Sequence, residues 1–295
     1  FMMERLMYAV NAKMEAVEAV KKLEAILKES PLPEPAPAGR KSPADSSISF
    51  DNVTFTYDGA ARPALMNVRF HLPQGAAYAL VGPSGGGKST IARLIPRFFD
   101  VQEGAVLVGG QDVRSIPAAE LMEQISFVFQ EVHLFKKSIR DNIRAARPNA
   151  TEEEILQAAQ LAQCGDILEK IPGGLDAVIG AKGVYLSGGE MQRIALARAI
   201  LKDAPIVVLD EASSFADPEN EVKIQKAFEV LMKGKTVLMI AHRLSTVRRM
   251  DRILVIKKGV VVEEGKHDEL IEKGGVYASM WEEYQSAAQW KVGGE

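Results

Sequence analysis

The stretch that decides the fold is Gly82-Pro83-Ser84-Gly85-Gly86-Gly87-Lys88-Ser89-Thr90. It follows the apolar run Ala76–Val81, which predicts a short strand, and it leads into Ser89–Phe99, which we expect to be a helix. In that context the glycines let successive backbone N–H groups turn toward a phosphate, and the helix N-terminus adds a favourable dipole. We expect Lys88 to reach the β- and γ-phosphates of a nucleotide and the Ser89 hydroxyl to ligate Mg²⁺. The alternative is a glycine-rich turn that binds nothing, and the flanking strand and helix argue against it.

Two carboxylates follow a second apolar run. Ile206–Leu209 comes directly after Pro205 and is typical of a parallel strand buried on both faces. Ligands bind at the carboxyl ends of strands in open α/β sheets, so Asp210 is expected to hold Mg²⁺ through water. Glu211 is then the candidate general base that orients the attacking water. Alone, such a pair is more often a helix start or a turn, and the phosphate loop upstream favours the catalytic interpretation.

The rest of the chain predicts an α/β fold with an antiparallel addition. Ile48–Tyr57 and Met66–Leu72 alternate apolar and polar residues as antiparallel strands do. Val237–Ala241 and Ile253–Ile256 repeat the buried-strand pattern, and a helix is expected over Glu219–Met232. The fold class is therefore a P-loop NTPase core with an antiparallel β subdomain at its front.

The N-terminal region differs in texture from the rest. Residues 1–29 predict one amphipathic helix, whose apolar stripe is Met3, Met7, Val10, Met14 and Val17. A Pro-rich linker is expected over 30–47, the main domain over 48–285 and a C-terminal tail over 286–295. A self-associating coiled coil is the alternative for the helix, but no strong pattern of charges flanks the stripe.

Composition narrows the classes of protein. The 295 residues carry a net charge of −3 with 47% apolar residues, which is ordinary for a globular domain and gives no basic face for nucleic acid. The single cysteine, Cys164, excludes an internal disulfide. No apolar run approaches the ~20 residues of a membrane-spanning helix. Because the chain begins at Phe1, we expect it to be either a fragment of a longer protein or a processed chain, and to be soluble by itself.

A second motif points to a family. Leu186-Ser187-Gly188-Gly189-Glu190, followed by Gln192, Arg193 and Arg198, resembles the signature motif of ATP-binding cassette (ABC) proteins. The resemblance extends over Ile48 to Tyr284 and implies an α-helical signature subdomain, so that the fold would be an ABC ATPase cassette. It is similar to the nucleotide-binding domain of exporter-type, ABCB-like transporters.

The resemblance assigns roles to single residues. Tyr57 resembles the aromatic residue that stacks on adenine, although by itself it reads as a strand-end tyrosine packing at a turn. Gln130, at the start of Gln130–Phe135, resembles the glutamine that reaches Mg²⁺ and the water and moves with the transmembrane partner. His242 resembles the switch histidine that contacts the γ-phosphate, and Asp217 the aspartate that communicates across a dimer.

The family also implies cofactors and partners. ATP is held between the phosphate loop of one cassette and the signature of another, where Ser187 and its helix N-terminus donate to the γ-phosphate in trans. The implied ATP contacts are Tyr57, Gly82, Ser84, Gly85, Gly86, Gly87, Lys88, Ser89 and Thr90, with Ser187, Gly188, Gly189, Glu190 and Asp217 acting in trans. The implied catalytic residues are Glu211, His242 and Gln130, and the implied Mg²⁺ ligands are Ser89, Gln130 and Asp210. The expected partners are a second cassette and a transmembrane domain of the same parent chain, at the cytoplasmic face of the inner membrane, with no nucleic acid.

Three departures from the family pattern mark a subgroup. The signature ends in Glu190 where glutamine is commoner, the aspartate loop reads Phe215-Ala216-Asp217, and Ile179–Tyr185 lacks a glutamate common in exporters. The signature Leu186–Glu190 together with Phe215–Glu221 resembles bacterial cassettes related to siderophore transport, which leaves import or export open.

Two other functions are compatible with the motifs. One is a soluble ABC ATPase acting on ribosomes or DNA, which usually carries a second cassette or a long coiled-coil insertion. The other is a binding-only cassette, against which the intact Glu211 and His242 argue.

Overall fold

The computed structural model describes residues 2–180, 183–210, 218–241 and 244–292, and it divides into two compact units. The first unit, Phe1–Glu34, consists of helix α1 (Met2–Lys28) and an extended segment after it, close to the predicted bounds. No residue of α1 is buried. No helix in the described part of the chain is apolar enough over a sufficient length to cross a bilayer.

The second unit, Pro35–Glu295, contains the sheets. Its strands are β1 (Ile48–Phe55), β2 (Leu65–Leu72), β3 (Ala77–Val81), β4 (Glu103–Val108), β5 (Gln111–Asp112), β6 (Ile125–Val128), β7 (Ile206–Asp210), β8 (Thr236–Ile240), β9 (Arg252–Lys257) and β10 (Val260–Gly265). Its helices are α2 (Lys88–Leu94), α3 (Ala118–Gln124), α4 (Ile139–Arg144), α5 (Glu152–Leu161), α6 (Gly165–Lys170), α7 (Gly188–Lys202), α8 (Pro218–Met232), α9 (Leu244–Val247), α10 (His267–Lys273) and α11 (Val276–Val292).

The strands form two sheets, as the sequence predicts. In the described residues one sheet has the order β2-β1-β4-β5 with antiparallel pairs, and the other has the order β10-β9-β3-β8-β7-β6. In the second sheet β9, β3, β8, β7 and β6 are parallel, and only β10 pairs antiparallel. The carboxyl ends of β3, β6, β7 and β8 therefore meet along one edge. That edge carries the phosphate loop, Gln130 and Asp210.

Each face of the parallel sheet packs on a different core. Along β7, Ile206 and Val208 point to the core shared with the antiparallel sheet and α2, while Val207 and Leu209 point to the core shared with α5, α7 and α8. This alternation follows from the two-residue period of a strand. Because both faces are covered, every residue of β7 is buried and the strand is apolar up to Asp210.

Three boundaries differ from the expectation. The helix predicted over Ser89–Phe99 ends at Leu94, because Pro96 has no N–H for the helical ladder and Arg97 adopts a left-handed backbone with φ 58°. The segment 30–47, predicted as a linker, joins the second unit from Pro35 onward. Lys41 N donates to Ser115 O (2.9 Å) and Ala44 N to Gly109 O (3.1 Å), so its last part is bonded to the domain surface. The predicted boundary at 285 lies inside α11.

Candidate active site

The phosphate loop connects β3 to α2 and depends on two glycines for its path. Gly82 has φ +138°, and a Cβ there would overlap the backbone carbonyl of Ile256. Gly87 has φ +107°, and a Cβ there would lie 2.8 Å from the carbonyl oxygen of Ala64. A residue other than glycine is disfavoured by sterics in both conformations. The backbone thus turns tightly where the sequence predicts that N–H groups face a phosphate.

Lys88 is folded into the loop. Its ammonium donates to Gly82 O at 2.8 Å and to Pro83 O at 2.9 Å, and the residue is 7% exposed. Burial lowers the pKa of Lys88, while the charge of Asp210 opposes that shift. An ammonium group has three N–H donors, and two loop carbonyls use two of them. The side chain is positioned where an anion in the loop would compete for it.

A cleft of about 450 Å³ opens at this loop. Its lining is Tyr57, Ala64, Ser84, Gly85, Gly86, Gly87, Lys88, Ser89, Thr90 and Gln130. The hydroxyl of Tyr57 is 3.1 Å from Thr90 Oγ1, and its ring meets Phe55 edge-on with centroids 4.8 Å apart. The half-buried Tyr57 ring is therefore fixed at the cleft while part of its surface remains free for a flat ligand.

The residues predicted to hold Mg²⁺ fit that ion by donor chemistry. They offer a hydroxyl at Ser89, an amide oxygen at Gln130 and a carboxylate at Asp210, which is 6% exposed. Mg²⁺ binds hard oxygen ligands and is usually held by one or two carboxylates together with substrate phosphates and water. Among the described residues no group of three or more His, Cys, Asp or Glu could hold a metal ion.

The signature segment forms the N-terminus of α7. Ser187 caps that helix: its Oγ accepts from Glu190 N at 3.2 Å, and Glu190 Oε2 accepts from Ser187 N at 2.8 Å. Such a reciprocal capping box satisfies two N–H groups at the helix start. Burial raises the pKa of Glu190, but hydrogen bonds from Ser187 and Lys170 outweigh it, so the pKa is lowered. The side chain predicted to act in trans is thus bonded within its own chain.

The two signature glycines have different surroundings. A Cβ on Gly188 would meet nothing within 4 Å, whereas a Cβ on Gly189 would lie 2.9 Å from Cβ of Asn220. Asn220 belongs to the first turn of α8. Gly189 is therefore needed for close contact between α7 and α8, and Gly188 leaves space on the outer side of the helix start.

The structure does not bring all predicted site residues together. Glu211, Asp217 and His242 lie outside the described residues. None of the signature residues lines either of the described cavities beside the phosphate loop, which are lined by loop residues together with Tyr57, Gln130, Ala241 or α11. Within this chain the phosphate loop and the signature are thus two separate surfaces.

Two residues that shape the Gln130 region were not found as a pair from the sequence. Asn142, fully buried in α4, accepts from Phe135 N at 2.8 Å and donates to Phe135 O at 3.0 Å. Arg198 of α7 donates from Nη2 to Asn142 Oδ1 at 3.0 Å and from Nε to Asn142 O at 2.8 Å. Arg198 follows the signature in the sequence, but an asparagine in a six-residue helix gives no sequence signal.

A groove of about 500 Å³ lies beside this loop. Phe127, Leu134 and Phe135 line it together with the cationic Arg198 and Lys202. Phe135 is 56% exposed, which is unusual for an aromatic residue held by a buried asparagine. The groove thus combines exposed aromatic residues with two basic residues in its lining.

A charged cluster connects the signature helix to α8. Arg193, 1% exposed, donates to Asp166 Oδ1 at 2.6 Å, and Lys223 Nζ donates to Asp166 Oδ2 at 2.9 Å. Burial raises the pKa of Asp166, but Arg193 and Lys223 together lower it to about 2. Asp166 on α6 thus links α7 and α8 by hydrogen bonds to two cations.

The parallel sheet, the phosphate loop after β3 and the carboxylate after β7 define a nucleotide-hydrolysing P-loop domain. A sequence profile described as "ABC transporter" matches residues 65–214, half of the chain. The chain belongs to the ABC transporter family and is its ATP-binding, ATP-hydrolysing domain, which confirms the predicted fold class and family.

Curated relatives and a solved structure support membership of this family. The ATP-dependent lipid A-core flippase of Escherichia coli strain K12 is 50% identical over 238 residues, which are 80% of this chain and 41% of that protein. The flippase of Shigella flexneri gives the same values. The structure of a bacterial Atm1-family ABC exporter with ATP bound is similar at a TM-score of 0.82 and 36% identity, covering 92% of this chain and 47% of that one. The chain thus spans about two fifths of the length of these curated relatives.

Proposed function

We propose that this chain is the ATPase domain of an exporter and that it works as a head-to-tail dimer. One observation carries the proposal: the chain has a phosphate loop and a signature, and they do not line a common cavity. A second copy, turned by a twofold axis, would bring its signature to the phosphate loop of the first. Ser187 caps α7 with its oxygen, so its O–H is left to donate to a γ-phosphate.

The chemistry follows from the residues at the cleft. Tyr57 stacks on the base, the loop N–H groups and Lys88 hold the phosphates, and Glu211 orients and activates water for attack on the γ-phosphorus. Ser89, Gln130 and Asp210 would hold Mg²⁺, which neutralises charge on the phosphate oxygens when bound. His242 contacts the γ-phosphate, and Asp217 contacts the partner cassette.

Hydrolysis is then linked to the shape of the dimer. Ser187 and Gly188 engage fully only while a γ-phosphate is present, so ATP favours closure and its hydrolysis favours reopening. The groove beside Gln130–Phe135 would receive a segment of a transmembrane domain. Because Asn142 and Arg198 join that loop to α7, movement at the site reaches the groove through bonded contacts.

The membrane partner is proposed from three supports. The relatives are a flippase and an exporter, the apolar stripe of α1 has no buried residue, and the groove presents the exposed ring of Phe135. We infer that α1 continues a helix of the transmembrane domain and that the cassette lies at the cytoplasmic face of the membrane. These relatives favour export over import and disfavour the soluble ATPase. The siderophore subgroup stays a prediction.

Mixing two inactive variants tests the dimer. Lys88→Ala removes a phosphate contact and Ser187→Arg blocks the signature, so each variant alone should lose ATP hydrolysis. In a mixed dimer one site combines both defects and the other combines an intact loop with an intact signature. Activity should therefore return on mixing. If the mixture stays as inactive as its components, although both variants are folded by circular dichroism, sites shared between chains are refuted.

A further inference from the structure

A second cavity of about 390 Å³ adjoins the phosphate loop. Its lining is Gly82, Ser84, Lys88, Ala241, Leu244, Met280, Glu283 and Tyr284. It shares Ser84 and Lys88 with the nucleotide cleft but includes neither Tyr57 nor Thr90. Since Tyr57 and Thr90 mark the base end of the loop, this cavity marks the end where the terminal phosphate would lie. The C-terminal helix α11 forms one wall of it.

Helix α11 is held firmly at its beginning. The carboxylate of Glu263 accepts from Val276 N at 2.6 Å and from Tyr277 N at 3.1 Å, which caps the helix. Tyr277 is fully buried, and its hydroxyl is 2.7 Å from His267 Nδ1. The ring of Trp281 packs 4.6 Å from that of His267. The side chains one and two turns further along α11 therefore have a defined direction.

Glu283 is the charged residue of α11 in this cavity. Glu283 and Tyr284 follow Met280 by three and four residues, so both lie on the same face of the helix as Met280. Among the described residues the carboxylate of Glu283 has no hydrogen bond or ion pair, and it is exposed. The adjacent Glu282 is equally exposed and does not line the cavity. Glu283 thus adds a negative charge to the cavity that it shares with Lys88, beside the γ-phosphate end of the loop.

We propose that Glu283 is a specificity-determining residue that weakens binding of a nucleoside triphosphate relative to a diphosphate. This inference rests on the proposed phosphate site. A triphosphate carries one more negative charge than a diphosphate and extends closer to α11, so Coulomb repulsion by Glu283 acts mainly on it. The effect is modest because the carboxylate is in contact with water and salt. Glu283 would keep the triphosphate from binding too tightly before a partner signature covers it, and it would favour loss of inorganic phosphate afterwards.

Two neighbouring variants form the test in the 295-residue chain. Dissociation constants are measured by calorimetry for Mg-ADP and for the β,γ-imido analogue of ATP, at low and at high salt. Glu283→Gln should tighten binding of the analogue by on the order of threefold at low salt, and Glu283→Lys by more. Mg-ADP should change less, and the difference should shrink at high salt. Glu282→Gln is the matched control, with both constants unchanged.

The outcomes separate this inference from the proposed function. If Glu283→Gln matches Glu282→Gln for both nucleotides at low salt, or shifts both nucleotides equally, discrimination by Glu283 is overturned while the phosphate site stands. If the unchanged chain binds neither nucleotide, or Lys88→Ala binds both as well as the unchanged chain does, the phosphate site itself is overturned and the inference with it.

Discussion

The phosphate loop and the signature are both anion sites at helix N-termini, and they are built differently. The loop turns inward: Gly82 and Gly87 adopt backbones that only glycine tolerates, and Lys88 folds back onto loop carbonyls. The signature faces outward: Ser187 and Glu190 bond to each other, and Gly188 has open space beside it.

The difference shows which surface can bind a ligand by itself and which needs a second molecule. The loop supplies its own cleft, with Tyr57 at one end and the α11 wall at the other. The signature supplies a capped helix start, and none of its residues lines the two cavities beside the phosphate loop. The phosphate loop can therefore bind a ligand alone, whereas the signature acts only when a second molecule brings it to a bound phosphate.

The largest expected effect separates binding from chemistry. Glu211→Gln keeps the size of the side chain but removes its basicity, so turnover should fall by about 100-fold or more while ATP binding remains. ATP would then hold the phosphate loop of one chain against the signature of the other, and gel filtration with ATP should give a dimer. A variant that stays monomeric and still hydrolyses ATP would contradict the role of Glu211.

Substitutions at the two signature glycines should have different effects on stability and turnover. Gly189→Ala forces a methyl group against Asn220, and we expect the free energy of unfolding to fall by about 1–2 kcal/mol. Gly188→Ala should change it by less than about 0.5 kcal/mol, because its methyl group points into open space. The same variant should lower ATP turnover by on the order of tenfold, since that space would be needed for the phosphate of the partner.

Urea unfolding and steady-state turnover measure the pair. In a double-mutant cycle, Asn220→Gly removes the Cβ that Gly189→Ala would contact, so the loss should be smaller in that background. Equal stability of Gly188→Ala and Gly189→Ala would show that α8 does not restrict the side chain at the start of α7.

Acid should lower the free energy of unfolding by protonating Asp166, which links α6 to α7 and α8. Its pKa is lowered to about 2 in the folded chain, below the ~3.9 of an unfolded aspartate, so the stabilisation is complete above the higher value. It is lost as the pH falls from about 4 toward 2. Since the side chain is 45% exposed, the screened contribution is only about 1 kcal/mol. The difference in unfolding free energy between the unchanged chain and Asp166→Asn should be constant from pH 5 to 7 and shrink below pH 4. A constant difference down to pH 3 would contradict the linkage.

The smallest effect concerns Glu190. Glu190→Gln keeps an oxygen that can accept from Ser187 N and removes only the charge, so stability should fall by about 0.5 kcal/mol. Glu190→Ala loses the cap and should cost about 1 kcal/mol. Turnover of Glu190→Gln should stay close to that of the unchanged chain, measured in parallel. A loss of turnover as large as that of Ser187→Arg would mean that Glu190 acts on phosphate after all.

Much of the fold was predictable because its signals are local. The alternation in β1 and the apolar run of β7 each depend on neighbours in sequence, and the structure has them close to where they are expected. The helix after the phosphate loop is shorter than its sequence pattern predicts, because Pro96 has no N–H to continue the helical hydrogen bonds. The contacts of Asn142 were not predictable, since Phe135 and Arg198 meet it only after α4 and α7 pack.

By itself the sequence determined the two anion motifs, the strand–helix order and the family, because each is written in a short run whose spacing has one physical meaning. Only the tertiary structure decided that Glu190 bonds to its own chain, that Gly189 touches α8 while Gly188 does not, and that Glu283 on the last helix lines a cavity with Lys88. Those facts join residues that are up to 195 positions apart (Lys88 to Glu283, 283 − 88). Such juxtapositions depend on how the sheet orders its strands and on how each helix packs, which no local pattern of side chains records.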